Sequence, residues 1–237
     1  MIGYISSYES FATMEGPGIR FAVFMAGCNL RCAYCHNPDT WTDGHKIDSN
    51  ELYNHIIRYK PYFKNGGGVT FTGGEPILQA KYLTDVSRKL IADGINIAVD
   101  TSLSVLSDEQ KEFYTLCNLV IADLKFTTGK NYEKYCKKDI FSTAKDTLNF
   151  LQEKNIAVWI RTVIIPGVND TKEDIKNYYD VIKGYKNIER FELKPFHTMG
   201  FEKYEKLNLA NPFYNKADMS QDKMEILQNY LNELVKS

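Results

Sequence analysis

Three of the five cysteines in this 237-residue chain fall within eight residues of one another, at Cys28, Cys32 and Cys35. Their Cys-x3-Cys-x2-Cys spacing lies in the segment Ala26-Gly27-Cys28-Asn29-Leu30-Arg31-Cys32-Ala33-Tyr34-Cys35-His36-Asn37-Pro38, directly after an apolar run. Cubane iron–sulfur clusters normally take four thiolates, so a loop offering three leaves one iron with an open position, where chemistry can occur. The alternative is a zinc site completed by His36, because three cysteines and one histidine form an accepted structural set. His36 adjoins Cys35, however, and there is no second pair of ligands of the kind structural zinc sites draw on. Cys117 and Cys136 stand alone in the sequence and read as small packed or surface residues. An odd count of cysteines, three of them clustered, suits a metal site in a reducing compartment better than a disulfide framework.

A loop of ligands needs a scaffold, and the hydrophobic pattern supplies one. Short apolar runs rich in β-branched and aromatic residues predict strands over 20–26, 68–72, 95–100, 119–125, 158–165 and 190–195. Between and after them, helical periodicity predicts helices near 48–60, 77–93, 107–116, 142–154, 171–183 and 221–235. Asp48, Ser107 and the acids after Thr171 mark helix starts, and Gly94 and Gly184 lie where helices would end. Regular β-α alternation implies parallel strands joined by right-handed helical crossovers, hence a doubly wound sheet or a full or partial barrel. Six units are too few to close an eight-stranded barrel. A single domain spanning 1–237 is the expectation, with the metal-binding loop at 28–35 and a C-terminal helix near 221–235.

Polar residues gather late in these strands. Cys28 follows the first; Gly73-Gly74-Glu75 follows the second; Asp100-Thr101 closes the third; Asp123 and Lys125 close the fourth; Arg161 lies in the fifth; Glu192, Lys194 and His197 lie at or after the sixth. Loops at the carboxyl ends of parallel strands converge on one mouth, so this distribution predicts an enzyme. Lys plus Arg (29) nearly cancel Asp plus Glu (30) and no long basic run occurs, so neither nucleic acid nor an anionic membrane is an expected partner. The first residues lack a basic and an apolar region, and no stretch is apolar enough to span a bilayer, which predicts a cytoplasmic protein.

The cysteine loop with Tyr34 before its last ligand, the later Gly73-Gly74-Glu75 and the six β/α units resemble the radical S-adenosylmethionine (radical SAM) superfamily. Further runs, Thr13-Met14-Glu15-Gly16-Pro17-Gly18-Ile19-Arg20, Cys32 through Trp41, Gly66-Gly67-Gly68-Val69-Thr70 and Pro195-Phe196-His197-Thr198-Met199-Gly200, resemble its glycyl radical enzyme activases, in particular those acting on pyruvate formate-lyase. The likeness extends from about residue 3 to about residue 205.

This resemblance implies a partial (β/α)6 barrel of the radical SAM fold, carrying one 4Fe–4S cluster on Cys28, Cys32 and Cys35. It implies S-adenosylmethionine on the fourth iron and an electron from flavodoxin or ferredoxin. The expected reaction is reductive cleavage to methionine and a 5′-deoxyadenosyl radical, which takes the α-hydrogen of a glycine in pyruvate formate-lyase. Cofactor contacts carried over are Tyr34, Cys35, His36, Gly73, Gly74, Glu75, Asp100, Asp123, Leu124, Lys125 and His197, with Lys125 as the cation for the carboxylate and His197 near the adenosine. Arg161 would position cofactor or substrate. Asp100, Thr101 and Asp123 with the Ile121 carbonyl would hold a monovalent cation. Glu15 departs from the family's aspartate by one methylene, 205–219 follows the family pattern only loosely, and the cysteine-rich insert of many relatives is lacking. The competing expectations are an activase of a different glycyl radical enzyme, a radical enzyme acting on a small molecule, and a zinc-stabilised binding module without catalysis.

Overall fold

The computed structural model describes residues 1–42 and 44–236. Six of its strands are those expected from the sequence: β2 (Arg20–Met25), β4 (Gly68–Gly73), β5 (Asn96–Thr101), β6 (Leu119–Asp123), β7 (Ala157–Ile164) and β8 (Ile188–Pro195). All six run parallel. Two further strands, β1 (Ile2–Ala12) and β3 (His45–Asp48), add an antiparallel edge, giving the order β3-β1-β2-β4-β5-β6-β7-β8. The sheet is open, with β3 and β8 at its edges.

The six expected helices are α1 (Ser49–Ile57), α2 (Ala80–Ala92), α3 (Asp108–Tyr114), α5 (Phe141–Glu153), α6 (Lys172–Ile182) and α8 (Gln221–Lys236); α4 (Gly129–Cys136) and the short α7 (Glu202–Lys206) were not anticipated. Local chemistry sets several ends. Asp48 accepts from the Asn50 amide at 2.8 Å, and Ser107 with Gln110 and Thr171 with Asp174 form capping boxes. Gly94 takes φ 72° after α2, whereas α6 ends through a right-handed Lys183 and Gly184 is not at positive φ. β6 stops two residues before the predicted 125, where the Leu124 amide closes a tight turn on Ala122 O at 3.1 Å while still bonding Arg161 O on β7 at 2.9 Å.

Alternation along the parallel strands separates two faces. One face carries Phe21, Val23, Val69, Phe71, Val99, Val120 and Ile160, all inaccessible to solvent, and packs against the helices in the main core. The other carries Arg20, Thr70, Ala98, Asp100, Ile121, Asp123, Arg161 and Glu192. Register aligns the polar members, with Asp100 beside Ile121, Asp123 beside Arg161, and Arg161 beside Glu192. The segment between β1 and β2 folds across this face. Arg20 anchors it from below: the guanidinium donates to Thr70 Oγ1 at 2.7 Å, Gly66 O at 2.9 Å and Asn96 Oδ1 at 3.0 Å, and Thr70 Oγ1 donates to Glu15 O at 2.6 Å. Burial pulls the Arg20 pKa down to about 10, so its charge survives at neutral pH on neutral acceptors alone.

Candidate active site

The carboxyl ends of the parallel strands open on a cavity whose wall holds Cys28, Cys32 and Cys35. Backbone contacts shape the loop that carries them. Gly27 leaves β2 at φ 91°, donating to Thr40 O at 2.8 Å, and its own carbonyl accepts from the Glu75 amide at 2.8 Å. A Cβ on Gly74 would fall 2.3 Å from Gly27 O, so only glycine lets the turn after β4 lie against the cysteine loop. The far side is tied to α4, where the Arg31 and Ala33 amides donate to Cys136 O at 2.9 Å and Tyr135 O at 2.8 Å. On the third side Tyr204 of α7 donates to Cys35 O at 3.0 Å, and Lys203 reaches Asn37 Oδ1 and Asp39 at 2.9 and 3.0 Å.

Burial raises the thiol pKa of Cys28 to about 12 and that of Cys35 to about 11. Cys32 is pushed well above the ordinary range, first by a hydrogen bond with the Cys136 thiol and then by burial. Metal-free, the loop therefore holds thiols, and taking up a metal means releasing protons. Among the described residues no three His, Cys, Asp or Glu side chains are grouped as around one ion. A cubane asks for something else, one thiolate on each of three irons. His36 is engaged elsewhere, with Nε2 2.9 Å from His197 O and its ring stacked on that of His197 at 3.9 Å. The donor set and geometry fit a cluster with three protein ligands better than a Cys3His zinc site.

Beside the thiols stand groups with unused capacity. Lys125 pairs with Asp123 Oδ2, and the lysine ammonium lies 5.7 Å from the Tyr34 ring centre. Burial works against the lysine charge, but the Asp123 carboxylate paired with it, with Cys32 and Cys136 adding to this when they ionise, outweighs burial and holds the Lys125 pKa well above its ordinary value. Two tyrosines fix the Lys125 backbone: Tyr132 Oη accepts from its amide at 3.1 Å and Tyr178 Oη donates to its carbonyl at 2.8 Å. Asp123 Oδ1, His197 Nδ1 and Asn29 Nδ2 are buried without a hydrogen-bond partner among the described residues. Such groups are costly unless a ligand satisfies them. The Lys125 ammonium and the free Asp123 oxygen beside the thiols suit a zwitterionic amino acid, while His197 stands behind His36 and does not itself line the cavity.

Not every expected contact faces the cavity. Tyr34, Cys35, His36, Gly73, Gly74, Asp100, Thr101, Asp123 and Lys125 line it. Leu124 instead turns into the main core at 1% exposure. Glu75, also 1% exposed, is a brace: its carboxylate accepts from Thr101 Oγ1 at 2.6 Å, the Ser102 amide at 2.9 Å and the Ser102 hydroxyl. Arg161 is a hub below the cavity, donating to Glu192 at 3.0 Å, Asp100 at 3.2 Å and Met14 O at 2.6 Å, with Glu15 at 3.7 Å. The four groups expected to hold a monovalent cation lie close together, but Asp100 is paired with Arg161, Asp123 with Lys125, and Thr101 with Glu75. Burial raises Asp100 to a pKa of about 7 despite the opposing pull of Arg161.

A model of the radical SAM superfamily matches residues 22–182, more than half of the chain. The chain belongs to the radical SAM superfamily. Its relatives include a pyruvate formate-lyase-activating enzyme of Clostridium pasteurianum, 40% identical over 242 residues that cover 99% of each chain, and one of Staphylococcus epidermidis, 34% identical over 97% of this chain and 95% of that one. Among solved structures, a domain of a pyruvate-formate lyase-activating enzyme from Bacteroides vulgatus aligns with TM-score 0.58 at 24% identity, covering 71% of this chain and 94% of that one. SuiB of Streptococcus suis with S-adenosylmethionine aligns with TM-score 0.66 at 16% identity, covering 88% of this chain and 45% of that one. At those identities the likeness is one of fold, and it is the radical SAM fold. Membership brings a 4Fe–4S cluster and S-adenosylmethionine as cofactors, for which Cys28, Cys32 and Cys35 are the one clustered set of cysteines in the chain.

Proposed function

We propose that this protein uses its cluster and S-adenosylmethionine to install a glycyl radical on pyruvate formate-lyase. One observation carries the reading: three cysteine thiols share a cavity wall with an ammonium, an unpartnered carboxylate oxygen and two backbone-anchoring glycines, in a chain with end-to-end relatives bearing that activase's name. When bound, the cofactor pair supplies the one-electron cleavage and hydrogen abstraction. The protein's own residues bind and orient. Cys28, Cys32 and Cys35 hold three irons and leave the fourth open. Lys125 meets the cofactor carboxylate with a charge-assisted hydrogen bond, Gly74 admits its amino group close to the backbone, and His36 with His197 borders the nucleoside. Arg161 keeps the Glu15 segment and Asp100 in place below the mouth.

The electron comes from a flavodoxin or ferredoxin in this scheme, and the cytoplasm is where both partners would be met. Among the described residues no helix is long and apolar enough to cross a membrane. An activase for another glycyl radical enzyme is the second reading, supported by the loose fit of 205–219 to the family pattern. The test is anoxic incubation of iron-replete protein with reductant, S-adenosylmethionine and either lyase, followed by electron paramagnetic resonance. A glycyl signal on pyruvate formate-lyase is expected. Signal only on another lyase would transfer the assignment, and no 5′-deoxyadenosine under any condition would end it.

A further inference from the structure

The helix α4, absent from the sequence reading, has two faces of opposite character. Tyr132 and Cys136, four residues apart, are buried, and Cys136 lies against the cluster ligand Cys32 in the same apolar cluster. Lys130 and Lys134, at i and i+4, share the solvent face, and Lys137, the left-handed C-cap, and Lys138 follow the helix end; all four are exposed. Arg31 extends this surface from within the cysteine loop, its exposed side chain donating to Cys28 O and Leu30 O at 2.7 Å each. None of these five cations is in a salt bridge among the described residues, and they are the cluster of such cations nearest the cysteine loop, with Glu133 the one exposed acid within α4. The whole chain has a net charge of −1, so the patch is a local concentration rather than a general excess.

Its position decides what it is for. None of the five cations lines the catalytic cavity. Arg31 adjoins Cys32 in the loop and the lysines lie on or just beyond the side of α4 away from Cys136 and Cys32, whereas a glycine substrate must reach the cavity. Reductive chemistry here consumes one electron per cleavage, and Cys117 and Cys136 offer no second cluster within the chain. The electron has to arrive from another molecule, by the shortest approach to the ligands. We infer that Arg31 and the lysines of α4 form the docking surface for a small acidic electron-carrier protein. The carrier is oxidised by one electron, which the cluster accepts and sulfonium cleavage then consumes. An unpaired cationic face beside the acceptor steers an acidic carrier and raises its encounter rate, while salt weakens the effect. The inference rests on the function proposed above, since only a redox enzyme needs such a surface.

The test reverses charge at Lys134→Glu, Lys137→Glu and Lys138→Glu together in the cluster-loaded protein, with Lys186→Glu as a control remote from α4. Reduced flavodoxin is the probe. The triple variant should bind flavodoxin at least about 10-fold more weakly by calorimetry at low salt, with a flatter salt dependence, and flavodoxin-driven cluster reduction should slow by a similar factor. Dithionite-driven formation of 5′-deoxyadenosine and of the glycyl radical should be unchanged. Wild-type flavodoxin affinity in the triple variant would overturn the inference. So would loss of dithionite-driven glycyl radical with normal 5′-deoxyadenosine, because the face would then belong to the protein substrate. Failure of dithionite-driven cleavage in the unaltered protein would instead refute the proposed function.

Discussion

At the residue scale the proposed site combines three thiols that must ionise to bind metal with charged groups that are paired among themselves, Lys125 with Asp123 and Arg161 with Asp100. Replacing Cys32 with Ala should abolish both cluster loading and 5′-deoxyadenosine production, whereas Cys117→Ala should leave them intact, because Cys117 sits in the helix-side core 3.6 Å from Phe113 O. Iron and sulfide analysis beside product chromatography would check the pair. Cys136→Ala should also retain cleavage, with three thiols still in the loop. Lys125→Ala removes a charge-assisted contact of about 1.5–3 kcal/mol, which corresponds to roughly 10- to 150-fold weaker S-adenosylmethionine binding. Its iron content should be that of wild type, and equilibrium binding would measure the loss. Asp100 predicts a pH dependence. Its folded pKa of about 7 lies above the ordinary 3.8, so between those values the fold retains a proton that the unfolded chain gives up. Stability of the cofactor-free protein should therefore fall as pH rises through that window and level off above it. Asp100→Asn should flatten the decline, as read from urea midpoints across the range.

At the element scale the cysteine loop is held from three directions, by the turn after β4, by α4 and by α7. Gly74→Ala would drive a methyl group into the Gly27 carbonyl, so the loop and turn must separate. The expected outcome is a lower thermal midpoint together with poor cluster retention, a combination that distinguishes it from Lys125→Ala. Tyr204→Phe deletes one hydrogen bond to Cys35 O, worth about 1 kcal/mol, and should loosen α7 without emptying the site. Faster amide exchange confined to 202–206 would show it. The six β/α units were legible because each alternates an apolar run with an amphipathic helix. β1 and α4 were not, for different reasons. β1 buries only Gly3, Ile5 and Ala12 of its eleven residues, so it lacks the alternation of a half-buried strand. α4 has two lysines and an N-terminal glycine in eight residues, and its helicity depends on packing Tyr132 and Cys136 beneath the loop rather than on propensity.

At the scale of the whole molecule the sheet has a dry face and a charged one, and closing the charged face is the work of residues far from the thiols. Arg20 is completely buried and its hydrogen-bond partners are all neutral, so its removal would strand several backbone and side-chain acceptors at once. Arg20→Met should destabilise the protein by about 3 kcal/mol or more in chemical denaturation, even though the substitution is apolar and similar in length. Because Arg20 and Thr70 also fix the Glu15 segment, part of this damage should extend to the cavity floor.

The order of residues along the chain already specified the clustered cysteines, the six-unit parallel scaffold and the rule that polar groups collect at strand ends, because each depends on spacing within one element or its immediate loop. It could not show that Glu75 and Arg161 brace the site from behind, that Leu124 faces the core, or that Cys136 lies against Cys32. Those facts depend on which side of a strand or helix meets which neighbour, with partners 26 to more than 140 positions away in the chain. Only the packed sheet brings Arg161 to Met14 and Tyr204 to Cys35, since hydrogen bonds and burial act over a few ångströms of space and are indifferent to distance along the sequence.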